Sequence, residues 1–221
     1  MTMRKRAGSV LFTAAAAAAI VGMSVGAALA ASTTLTVKVS HGGSYTATAK
    51  TTVLTVKTSA GPVSVTCSTK GRTPSSKASG KISNGTHHGK APVTVGTVTK
   101  LSFNDCIGPL GPLTTTVKAK PVLRADSRTN KKGETAAVIT NVKVLVSQTG
   151  CSFTVTGSAP GYYSNKTHTL TMTPKPPVKL LSKTGLTISG VTGCAGVISN
   201  GQHPTYSASY KVSRKVVIES S

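Results

Sequence analysis

Tryptophan is absent from this chain and acidic side chains nearly so: Asp105, Asp126, Glu134 and Glu219 are the only carboxylates. Without indole rings the usual flat platform for a sugar is missing, and only Tyr45, Tyr162, Tyr163, Tyr206 and Tyr210 remain for that task. Hydrolysis of glycosides usually needs two carboxylates at one site, and so few acids offer few pairs. Asp105, beside Cys106, is the one acid embedded in strand-like sequence, where a turn cap or a lysine partner is the plainer role. No Gly-x-Ser-x-Gly elbow, phosphate-binding loop or dinucleotide fingerprint occurs. The histidines His41, His87, His88, His168 and His203 lack the spacing of a zinc site, and no Cys-x-x-Cys is present. His87-His88 would offer no more than adventitious metal binding. These absences point away from an enzyme and from any cofactor.

Long apolar runs are also missing, with one exception at the N-terminus. Arg4-Lys5-Arg6 is followed by an uncharged stretch from Val10 to Leu29, and Ala28-Leu29-Ala30 places small residues at the −3 and −1 positions of a cleavage site. Basic head, apolar middle and A-x-A end are the pattern of a secretory signal peptide over residues 1–30. The run is about long enough to span a bilayer, so a retained anchor is the rival reading. Its six consecutive alanines make it weakly hydrophobic, which favours cleavage. No cysteine follows the cleavage site and no Leu-Pro-x-Thr-Gly signal stands near the C-terminus. The expectation is a released chain, or one held to the envelope without a covalent link.

What remains, residues 31–221, carries 23 lysines and arginines against four carboxylates, a net charge of +19. Eleven of the cations lie at or before Lys120 and twelve after it, so the charge is spread and not gathered into a tail. Such a polycation is attracted to any polyanion, and salt weakens the attraction. For an exported protein the nearest polyanions are wall polymers, anionic membrane surfaces and extracellular nucleic acid, the last bound only non-specifically. The plain alternative is a soluble, self-repelling surface without a chosen partner. No small-molecule substrate suggests itself, and a monomer is expected.

Threonine, serine, valine and glycine dominate, and β-branched residues suit a pleated, half-buried surface. Period-two alternation recurs along the chain: Leu35, Val37 and Val39; Tyr45, Ala47 and Ala49; Val63, Val65 and Cys67. It continues through Leu101 and Phe103, Leu113 and Val117, Val142 to Val146, and Cys151, Phe153 and Val155. Leu170 with Met172, Leu186 with Ile188, and Tyr206 to Val212 complete the series. About a dozen half-buried antiparallel strands predict an all-β sandwich or barrel-like architecture. Residues 68–91, with Ile82 as the sole large apolar side chain, read as a long exposed loop. It would present Lys70, Arg72, Lys77, Lys81 and Lys90 as contacts. Residues 125–134 read as a loose link between possible halves 31–124 and 135–221. Gly161-Tyr162-Tyr163, after Pro160, reads as a turn with two candidate contact tyrosines.

Four cysteines in an exported chain imply two disulfides with three possible pairings. Cys67-Ser68 is followed by Cys106-Ile107-Gly108, and Cys151-Ser152 by Cys194-Ala195-Gly196 at a similar distance. This echo of Cys-Ser and then Cys-x-Gly favours Cys67–Cys106 and Cys151–Cys194, and it suggests a degenerate duplication. A disulfide-held loop in a secreted chain also allows a second function, that of a protein-binding module or inhibitor.

In organisation the chain resembles a family of uncharacterised secreted proteins from actinobacteria. The resemblance rests on the Ala-rich leader, Leu35-Thr-Val37, Gly42-Gly43-Ser44-Tyr45 and Val65-Thr-Cys67-Ser68. It extends to Leu101-Ser-Phe103-Asn104-Asp105-Cys106 running into Gly108-Pro-Leu-Gly111, to Gly150-Cys151-Ser152, and to Val191-Thr-Gly193-Cys194-Ala-Gly196. It implies secretion and the disulfide layout, and no activity. The strong positive charge of this chain sets it apart.

Overall fold

The computed structural model describes residues 33–221; the segment expected to be an export signal, with Ala28 and Ala30, lies outside the described residues. The strands are β1 (Thr34–Ser40), β2 (Gly43–Thr58), β3 (Gly61–Ser68), β4 (Ser76–Ile82) and β5 (Gly85–Lys90). Next come β6 (Val93–Phe103), β7 (Cys106–Gly108), β8 (Gly111–Val117), β9 (Val122–Ala125) and β10 (Glu134–Gln148). The series ends with β11 (Cys151–Ser164), β12 (Thr169–Met172), β13 (Gly185–Gly193), β14 (Thr205–Val212) and β15 (Val217–Ser220). A single 3-10 turn, Cys194–Gly196, interrupts them, and every strand pair is antiparallel. The chain is therefore all-β, as its alternation predicts.

The pairings close into a barrel. The first half of β2 pairs β4, β4 pairs β6, β6 pairs β9 and β9 pairs the first half of β10. That half of β10 pairs the end of β11, which pairs β12, then β14, and β14 returns to β2. A closed ring removes the exposed edges that a flat cationic sheet would otherwise present. Beyond the ring, β2, β10, β11 and β14 continue. They recruit β3, β7, β8 and β13 into an open second tier within the same sheet. The seam of this tier lies between β13 and β14, where His203 Nδ1 meets the Leu186 carbonyl at 3.1 Å.

A separate three-stranded sheet, β15-β1-β5, covers the ring at the end where β2, β6 and β10 begin. β1 drives Leu35, Val37 and Val39 into the core while Thr34 and Lys38 face out. Val216 and Ile218 are buried beside them. Tyr163 donates to the Val216 carbonyl at 2.9 Å, and Asn165 brackets Ile218 through its backbone N–H and carbonyl. Both disulfides form as the cysteine contexts favour, Cys67–Cys106 and Cys151–Cys194. Cys67 ends β3, whereas Cys151 begins β11, so the two Cys-Ser units occupy different places in their strands.

Three readings need correction. Residues 68–91 are not one exposed loop, because they hold β4 and β5 and only short turns. In β4 the inward positions are Ser76, Ala78 and Ile82, all buried, and the outward ones are polar. Small inward residues hide a strand's alternation, and at Gly80 the small size is demanded by close approach. A Cβ on Gly80 would stand 1.9 Å from the Thr97 carbonyl oxygen across the β4–β6 pair. Tyr162 and Tyr163 lie within β11, not in a turn, and Tyr163 is a core residue. Pro160 stands where β11 changes its partner from β13 to β12, a place where a missing N–H is tolerated.

Residues 125–134 are likewise not a loose link. Asp126 and Ser127 are buried, and Asn130 Oδ1 accepts the backbone N–H groups of Lys132 and Glu134, closing a tight turn. The proline-bearing segment after β12 has no regular structure. It returns to the barrel at Asp126, whose Oδ2 accepts the N–H groups of Leu181 and Ser182, each at 3.1 Å.

Candidate functional site

The barrel's outward face across β14, β2, β4 and β6 is a field of lysines and hydroxyls. Alternation fixes its composition, because every second residue must face away from the core. On β2 the outward residues are Ser44, Thr46, Thr48 and Lys50; on β4 they are Lys77, Ser79 and Lys81. Register places Thr48 between Lys77 and Lys211, one on each neighbouring strand. On β6, Lys100 stands opposite Ser79, diagonal to both Lys77 and Lys81, while Ser102 and Thr97 face those two lysines. Five ammonium groups, Lys50, Lys77, Lys81, Lys100 and Lys211, thus share four adjacent strands without a carboxylate among them. Lys211 is tethered by a hydrogen bond to the Thr167 carbonyl, and the other four are exposed.

Of the contact residues predicted from sequence, Lys77 and Lys81 belong to this face. Lys70 and Arg72 sit in the tight turn that leads into β4, closed by the Lys70–Thr73 bridge. Lys90 ends β5 on the separate three-stranded sheet, paired with Thr34. The sequence reading missed Lys50, Lys100 and Lys211, because their nearness arises from pairings between distant segments. It also missed an apolar tip. The β7–β8 hairpin, pinned at its base by Cys106, exposes Ile107 at 61 % and Leu110 at 50 %.

The polar groups that would carry chemistry are dispersed. Asp126 Oδ2 accepts the Leu181 and Ser182 N–H groups while its Oδ1 is buried without a partner, and Glu134 accepts from Asn130 Nδ2 at 3.0 Å. Asp105 is exposed in the turn before Cys106, with a left-handed φ of 48°. His88 meets Thr36 Oγ1, His87 meets the Ser83 carbonyl, and His203 caps the seam. Among the described residues no three His, Cys, Asp or Glu side chains gather as a metal site would require.

The interior holds a buried hydroxyl relay. Ser76 Oγ donates to the Ser102 carbonyl at 2.9 Å, which uses its only proton. Tyr210 must therefore donate to Ser76 across 2.8 Å, and Tyr206 to Tyr210 across 2.7 Å. Thr52 adds a side-chain hydrogen bond to Tyr206. Burial raises both phenols above their ordinary value. It also raises Tyr45, and it pushes Tyr163 up to about 12.

Beside this relay the barrel holds a largely apolar cavity of about 150 Å³, lined in part by Tyr45, Ala47, Ala78, Val98, Leu170 and Val212. A void of that size lowers stability by roughly 3–4 kcal/mol relative to a filled core. No protein-family model, curated protein or solved structure matches the chain.

Proposed function

We propose that this is a secreted, non-catalytic β-barrel that attaches to anionic polymers of the cell envelope through its lysine face. The observation that carries the reading is the five-lysine, carboxylate-free field on β14, β2, β4 and β6. Ammonium groups on flexible stems suit a repeating polyanion, because each acts as a point charge without demanding one ligand geometry. Serine and threonine between them add hydrogen-bond donors for phosphate or carboxylate oxygens. Two disulfides fit a chain matured in an oxidising compartment.

The test is retention of the purified mature protein on isolated cell walls and on immobilised polyphosphate across a salt series. Replacing Lys50, Lys77, Lys81 and Lys100 with Gln lowers the salt slope, log K against log salt, by about three units. That follows from roughly 0.7–0.9 per neutralised phosphate. At 0.5 M salt, where the screening length is about 4–5 Å, the wild type is released. Retention that ignores salt, or that survives the fourfold substitution unchanged, overturns the proposal.

The exposed Ile107 and Leu110 favour a second reading, in which the disulfide-pinned hairpin seats in an apolar groove of a partner protein. Aliphatic side chains held on a rigid tip lose little freedom on docking. Salt-resistant capture of one partner, abolished by Ile107→Ser with Leu110→Ser, is the result that would select this reading over the electrostatic one.

A further inference from the structure

From the cavity within the barrel we infer a binding site for a small uncharged hydrocarbon group of about six to ten carbon atoms. An eight-stranded barrel is just wide enough for side chains to fill it, or to hold one small ligand. Which outcome applies depends on the inward residues, and here they are small. Ala47 and Ala78 face each other across the β2–β4 pair, Ala125 and Ala137 across β9–β10, and Gly161 stands beside Ala137 on β11. Leucine at such positions would close the centre. The chain places methyl groups there and leaves about 150 Å³ empty.

The chemistry of the walls selects the occupant. Of the phenols that line the void, Tyr206 and Tyr210 are engaged with each other and, through Ser76, with the Ser102 carbonyl, and Tyr163 donates to the Val216 carbonyl, so these three ask nothing of a ligand. Arg124 also borders the cavity, but it shares its face of the sheet with Thr94 and Val138, opposite to that of Leu123 and Ala125; its Nη1 donates to the Pro92 carbonyl, and its buried Nε has no hydrogen-bond partner. An ion or a sugar would therefore lose its hydration without compensation. An apolar void of this size remains dry and admits a benzene-sized molecule. The shared chemistry is a hydrocarbon surface, whether of a free cyclic molecule or of a short acyl chain.

Thermal unfolding of the mature protein with toluene, limonene and a decanoyl lysolipid below its micelle concentration tests the site. At a hundredfold excess over Kd the midpoint rises by about 5–10 °C. A shift with toluene or limonene assigns a free hydrocarbon, and a shift with the lysolipid alone assigns an acyl chain. Ala78→Leu and Ala47→Leu fill the void, and the shift is lost in each variant that folds. In the wild type, nuclear Overhauser contacts connect the bound ligand to the Tyr45 and Tyr210 rings, which holds the test open should both variants misfold. No shift with any probe, or contacts that fall outside the barrel, overturns the inference. None of these readouts involves the lysine face, so the two proposals fail separately.

Discussion

Removing the Cys67–Cys106 bridge tests how this barrel is held together. The bridge closes 39 residues, and its counterpart Cys151–Cys194 closes 43. Chain entropy alone assigns each about 4 kcal/mol at 25 °C. In a domain of this length one kcal/mol moves the midpoint by about 2–4 °C, so each loss lowers it by about 8–16 °C. Alanine is the right replacement, since Cys67 and Cys106 are each 4 % exposed and serine would bury an unpaired hydroxyl. The two global costs should match, but the local consequences should not. β7 is three residues long and touches β3 at only two registered pairs, Thr66↔Ile107 and Cys67↔Cys106. β13 keeps a long ladder with β11 from Ser152 to Ser158. In C67A/C106A, amide exchange in residues 104–112 therefore speeds up well below the global midpoint, whereas in C151A/C194A β13 unfolds with the rest. Calorimetry gives the first quantity and hydrogen exchange the second. A midpoint drop under about 3 °C for either pair would refute the loop-entropy account. Equal local protection in the two variants would refute the claim that β7 depends on its sulfur.

Three further outcomes follow from the interior and the charge. Four tyrosines, Tyr45, Tyr163, Tyr206 and Tyr210, are raised above 10 by burial. The native state therefore keeps phenolic protons that the unfolded chain releases, so this contribution to stability is complete below pH 10 and falls as pH rises beyond it. Absorbance at 295 nm should show these four ionising together with unfolding; a native-state titration of all five near pH 10 would contradict the burial. Tyr210→Phe removes the middle of the relay and leaves the Tyr206 hydroxyl proton without its acceptor, while Ser76 keeps its bond to the Ser102 carbonyl; the cost is about 1–3 kcal/mol by urea unfolding, and a neutral result would mean water repairs the gap. Raising NaCl from 10 mM to 300 mM should raise the unfolding midpoint, because screening relieves a net charge of +19 that four carboxylates barely offset. A falling midpoint would show that attractive charge pairs dominate instead.

The strands that the sequence makes legible are those whose inward residues are large. β1, with Leu35, Val37 and Val39, and the run Cys151, Phe153, Val155 in β11 alternate strongly in both hydropathy and burial. β4 was hidden because Ser76, Ala78 and Gly80 are small; at Gly80 the close approach of β6 requires it, whereas Ala78 borders the cavity. Tyr162 and Tyr163 were misplaced because a Pro-Gly pair ordinarily marks a turn, whereas here it marks a change of strand partner. The lysine face was only half visible. Lys77 and Lys81 are two strand steps apart on one strand, but Lys100 and Lys211 join them through ladders spanning roughly 20 to 160 residues of sequence, and no local pattern encodes those. The role of Asp126 is invisible in the sequence, because its partners, the N–H groups of Leu181 and Ser182, are backbone and leave no trace in residue type.

One strand pattern produces both unusual features of this molecule, and their energetic demands meet in the same place. Alternation puts Lys50, Lys77 and Lys81 outside exactly because it puts Ala47, Ala49 and Ala78 inside. Lysines on the outer wall repel one another, and alanines on the inner wall forgo the contacts that leucines would make. Neither wall stabilises the barrel as strongly as a neutral exterior over a filled core would. Ring closure, which leaves no free edge among its eight segments, and the two covalent bridges make up the difference. Filling the void with Ala78→Leu should therefore make the bridges less critical. In that background the midpoint drop caused by C67A/C106A stays near its wild-type size, since loop entropy is unchanged, but the double variant remains folded at 37 °C where C67A/C106A alone begins to unfold. If the cavity-filled protein is instead no more stable than the parent, the hollow centre is not what weakens this barrel, and the bridges must be offsetting charge alone.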